Sequence, residues 1–68
     1  MQNTQNIERL TKAKHTAEFL VTELRELYVK ASPMLSLVIT PELELAVKIS
    51  RQLNSILDTV TFENIQNE

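Results

Sequence analysis

Glycine is missing altogether from this sequence, and so are cysteine and tryptophan. Without glycine the chain has no residue that enters left-handed backbone at no cost. That argues against tight β-hairpins, phosphate-cradling loops and the turns of most nucleotide-binding folds. Without cysteine there is no disulfide and no thiolate. A single histidine, His15, leaves no cluster from which a metal site could be assembled, so neither a metal nor a cofactor is expected. An excess of one charge is lacking too: seven Lys and Arg stand against nine Asp and Glu, a net charge of −2. With a pI near 5.3 the chain has no bulk attraction for DNA or anionic lipid. No apolar run approaches the roughly 20 residues of a membrane span. The start, Met1-Gln2-Asn3-Thr4-Gln5-Asn6, lacks the basic and apolar parts of a secretory leader, and the expected compartment is the cytoplasm.

What is present is an ordinary apolar share, 43% of 68 residues, in one small domain spanning residues 1–68. At this length a single core barely offsets the entropy of folding. With disulfides excluded and no metal expected, pairing with a second copy is the remaining device.

The order of residues is that of two helices. Ile7, Leu10, Ala17, Val21, Leu24, Tyr28 and Ala31 follow alternating three- and four-residue spacing, interrupted only by Lys14. Ala13, Leu20 and Leu27 widen that stripe beyond a two-stranded seam. The first helix is expected over about residues 5–31, with Asn3, Thr4 or Asn6 as its cap, and Pro33 ends it. Ser32 could cap a short turn opening at Pro33. The segment 32–40, with Met34, Leu35, Leu37, Val38 and Ile39, reads as an irregular apolar connection. Thr40-Pro41-Glu42 reads as cap, first-turn proline and first-turn acid, and places the second helix over about 41–61. Its stripe is Ala46, Ile49, Leu53, Ile56 and Val60, flanked by Leu43, Leu45 and Leu57. Residues 62–68 form a tail in which Phe62 and Ile65 could cover the end of the pair.

The expected fold is all-α, a two-helix antiparallel hairpin. Each stripe is wider than one partner helix can cover, which predicts that two hairpins combine into a four-helix bundle. The residues expected to build the core or the dimer are Leu20, Val21, Leu24, Leu27 and Tyr28 on the first helix. Ile49, Leu53, Ile56, Leu57 and Val60 are their counterparts on the second. Phe19, Val29 and Val47 lie off the stripes. With Met34, Leu35 and Leu37 in the connection they are the candidates for contact with a protein partner.

Patterns that carry chemistry are sparse. His15 and Glu18 share a helix face, but di-metal bundles need the reverse order and further carboxylates. Asp58, Ser50, Ser55 and His15 lack the oxyanion turn that a nucleophilic triad requires. No catalytic residue is assigned. Arg9, Lys12, Lys14 and His15 form a small basic cluster, and an RNA-binding four-helix bundle is an alternative reading. Lys48 and Arg51 alone are too few for a DNA-recognition helix.

The run Val47-Lys48-Ile49-Ser50-Arg51-Gln52-Leu53-Asn54-Ser55-Ile56-Leu57 loosely resembles the second helix of the small two-helix aspartyl-phosphate phosphatases of sporulating bacteria. That family carries a Ser-x-x-x-Asp signature in an antiparallel hairpin and removes phosphate from a response regulator. Asn54 stands where the family has its essential aspartate. The resemblance therefore implies a degenerate relative that binds without catalysing. The main expectation is a small, non-enzymatic interaction protein, an adaptor, inhibitor or small chaperone, presenting apolar helix faces as a homodimer to a protein partner.

Overall fold

The structure, a computed structural model, describes the backbone of residues 2–66 and the side chains of residues 4–63. The cap expected from Asn3 and the contact expected from Ile65 lie outside the described side chains. Two α-helices fill the described chain: α1, Gln2–Lys30, and α2, Pro33–Gln66. Only Ala31 and Ser32 join them. A helix rises about 1.5 Å per residue, so each spans most of the molecule's 52 Å length, and the other dimensions are only 14 and 13 Å. Two long rods joined by so short a link within those limits are an antiparallel hairpin.

The turn is built without positive φ, which no described residue adopts. A glycine ordinarily turns the chain at the end of a helix and lets it satisfy the last carbonyls. Here the opening of α2 does part of that work. The Ser36 hydroxyl donates to the Tyr28 carbonyl at 3.0 Å, in the last turn of α1. Ser32 caps α2: its Oγ accepts from the Leu35 N–H at 3.3 Å, and its carbonyl accepts from the Ser36 N–H at 2.9 Å. Pro33 then occupies the first helical position, where a missing N–H removes nothing.

The expected connection over 32–40 is therefore corrected. Residues 33–40 are the first two turns of α2, and the helix begins at Pro33 rather than Pro41. Pro41 lies inside it. Thr40 is not a cap; its hydroxyl donates back to the Ser36 carbonyl at 2.7 Å. An internal proline withholds one N–H, here the partner of the Leu37 carbonyl, and the helix passes through because Leu37 lies on the exposed surface. Local signals around Thr40-Pro41 are those of a helix start, and a stronger start eight residues earlier supersedes them. The outer limits also move. α1 begins at Gln2, which leaves Thr4 and Asn6 inside it, and α2 runs through Phe62 to Gln66.

The seam between the helices is narrow. Ala17, Val21 and Ala46 are the buried apolar residues, at 9%, 7% and 4% exposure. Half-buried residues extend the line: Ile7, Leu10, Lys14 and Leu24 on α1, and Leu43, Ser50, Leu53, Leu57 and Val60 on α2. On α1 this matches the expected stripe. On α2 it does not, because Ser50 and Leu57 take the places expected for Ile49 and Ile56. The line of α2 that faces α1 thus includes the small residues Ala46 and Ser50 among its leucines, in place of the more apolar line through Ile49 and Ile56.

Candidate functional site

Apart from the seam, the hairpin has two long flanks, and the heptad spacing sorts residues between them. Asn6, Arg9, Leu10 and Ala13 line a shallow groove with Val60 and Glu63. Leu20 and Leu27 repeat the position of Asn6 and Ala13 at seven-residue intervals. Ile49 and Ile56 repeat that of Glu63 in the same way. All therefore lie along one flank. On the other, Glu18, Val21, Thr22 and Arg25 share a groove with Val47, Ser50 and Arg51.

The two flanks differ in chemistry. The first is apolar: Leu20, Leu27, Ile49 and Ile56 are each 43–47% exposed. Leu35, Val38 and Leu45 continue the same face of α2, at 40%, 60% and 58%. The second carries Glu18, Arg25, Lys48 and Arg51 around Val47, which is half-buried. Val47 thus forms the floor of a groove and is no exposed anchor. Phe19 is exposed on the outer surface of α1, and Val29, Met34 and Leu37 are exposed around the turn, at 71–80%.

Of the expected core residues, Val21, Leu24, Leu53, Leu57 and Val60 lie in the seam, buried or half-buried. Leu20, Leu27, Ile49 and Ile56 form the apolar flank, and Tyr28 is 43% exposed in the last turn of α1. Val38 and Leu45 belong to the flank as well. Their signal in the sequence is the spacing 38-45-49-56, which is obscured when residues 33–40 are read as a loop.

The surface area gives the flank its weight. The described helices hold no large side chain that is fully buried. The accessible surface is 5514 Å² for a chain of 7.8 kDa, against about 4,400 Å² for a compact protein of that mass, an excess of about 1,100 Å². The radius of gyration is 15.6 Å, against about 11 Å for a compact chain of this length.

The polar candidates are dispersed. Arg9, Lys12, Lys14 and His15 fall within seven residues of sequence but spread around α1, and Lys14 is turned toward the seam, half-buried. Ser50 lies in the seam and Asn54 is exposed. The hydroxyls of Thr11, Thr16, Thr22 and Thr59 each donate to the carbonyl four residues earlier, at 2.7–3.1 Å. Among the described residues no group of three His, Asp or Glu lies together where a metal could be held. Nor is any described helix long and apolar enough to cross a membrane. Comparison with known protein families, with characterised proteins and with solved structures finds no match for this chain.

Proposed function

We propose that this chain is a non-enzymatic protein–protein interaction module that works as a homodimer, two hairpins closing into a four-helix bundle. The observation that supports this reading is the apolar flank, which runs along both helices. The whole hairpin exposes about 1,100 Å² more than a compact protein of its mass, against the roughly 800 Å² that each partner contributes to a standard interface. A bundle made of two hairpins turns the flanks inward, so that the seam and the flank together become one core. The module then presents Phe19 and the residues around the turn, Val29, Met34 and Leu37, to a protein partner, with apolar anchors deciding affinity.

Light scattering tests the reading. The parent chain is expected at the mass of two copies at micromolar concentration. Ile49→Asp, which puts a charge into the flank, should drop the mass to one copy. Lys12→Asp, at an exposed position away from the flank, should leave it at two. A parent chain at one-copy mass throughout the range would overturn the proposal.

A further inference from the structure

Charged residues interrupt the apolar flank, and at its two ends their signs are ordered. On α1 the edge of the stripe of Ala13, Leu20 and Leu27 carries a cation at each end, Arg9 one turn before Ala13 and Lys30 one turn after Leu27, with the anion Glu23 between them. On α2 the stripe contains two anions: Glu42 between Val38 and Leu45, and Glu63 seven residues beyond Ile56. Arg9 and Glu63 lie level, since they line the same groove at the open end. The register that sets Val21 beside Ser50, carried toward the turn, brings Lys30 level with Glu42 to within about a turn. Each end of the flank therefore has a positive edge on α1 and a negative edge on α2.

Two hairpins can bring these flanks together in two ways. With the turns at the same end, a two-fold axis along the bundle lays α1 of each copy against α2 of the other. Arg9 then meets the partner's Glu63, and Lys30 meets the partner's Glu42. With the turns at opposite ends and the two-fold axis crossing the middle of the apolar stripe, each helix lies on its own counterpart: Arg9 falls near the partner's Lys30, and Glu42 near the partner's Glu63. The first arrangement pairs opposite charges at both ends and the second opposes like charges at both.

We infer that a second copy of this chain docks on the apolar flank with the turns at the same end, α1 against the partner's α2, held in that direction by the Arg9–Glu63 and Lys30–Glu42 pairs between copies. The inference rests on the homodimer proposed above and adds its direction. The charges select direction, and the apolar stripe supplies the affinity. A consequence is that the exposed apolar residues around both turns gather at one end of the bundle, a single bivalent surface.

Two measurements test it. A spin label on Met34→Cys, at an exposed site near the turn in a chain with no other cysteine, reports the distance between copies. Turns together predict about 20–35 Å, from helix spacings of 8–10 Å and helix diameters of 10–12 Å. Turns apart predict a distance close to the 52 Å length of the hairpin, which would overturn the inference while leaving the homodimer intact. No dipolar signal at 100 µM, a concentration of order well above a micromolar Kd, would overturn the homodimer itself. The second measurement is independent of the label. Arg9→Glu should raise the dimer dissociation constant by at least about tenfold. Mixing the Arg9→Glu chain with the Glu63→Arg chain should restore pairing. Unchanged or tighter self-association of Arg9→Glu would contradict the arrangement, because turns-apart packing places that glutamate near the partner's Lys30.

Discussion

Pro41 and Ser32 show how much one residue can mean in one place and how little in another. Pro33 sits at the first helical position behind the Ser32 cap, where proline is tolerated without loss. Pro41 is the same residue in a helix interior, where it removes a hydrogen bond and crowds the carbonyl four residues before it, at a cost of about 3 kcal/mol. The structure thus makes a prediction opposite to the one its sequence context invites. Pro41→Ala should stabilise the protein by about 1–3 kcal/mol, read from urea denaturation followed by circular dichroism. A variant as stable as the parent, or less so, would mean that α2 starts at Pro41 after all. Read locally, Thr40-Pro41-Glu42 carries every sign of a helix start. That Thr40 instead donates to the Ser36 carbonyl depends on the eight residues before it being helical already.

At the scale of the element, α2 carries two apolar stripes about 90° apart. One is Leu43, Ala46, Ser50, Leu53, Leu57 and Val60; the other is Leu35, Val38, Leu45, Ile49 and Ile56. A periodicity read from sequence reports that both exist and merges them into one broad face, which is how Ile49 and Ile56 come to be expected in the seam. Hydropathy favours the second stripe, yet it is the first, with Ala46 buried and Ser50 half-buried, that meets α1. The two stripes are separable by mutation. Leu53→Asp places an unpaired charge between the helices and should abolish most of the helical circular dichroism signal at 25 °C. Full retention of that signal would show that Leu53 does not face α1. On α1 the seam follows the expected line of Ile7, Leu10, Ala17, Val21 and Leu24, and Ala13, Leu20 and Leu27 beside it form the flank.

For the whole molecule, shape is the dominant fact. A rod of 52 × 14 × 13 Å with three buried apolar residues among those described has little core of its own. A second copy would add the flank to the seam, and folding would then be linked to association. Mass action makes the melting temperature depend on concentration in that case. A tenfold dilution in the micromolar range is expected to lower Tm by several degrees, since about 1.4 kcal/mol is removed and a domain of this size shifts by about 4–8 °C per kcal/mol. A Tm that ignores dilution would argue for a hairpin stable alone. The polar flank, with Arg25, Lys48 and Arg51 around Val47, stays exposed in either case.

The sequence by itself determined the helical class, the hairpin, the seam of α1 and the presence of more apolar surface than one hairpin covers. Those follow from periodicity and composition, which are properties of the chain taken a few turns at a time. Only the tertiary structure decided where α2 begins and which of its stripes meets α1. Both depend on α1 as a neighbour: its Tyr28 carbonyl accepts a hydrogen bond from Ser36, and its buried face, with Ala17 and Val21, is met by the stripe of α2 that holds Ala46.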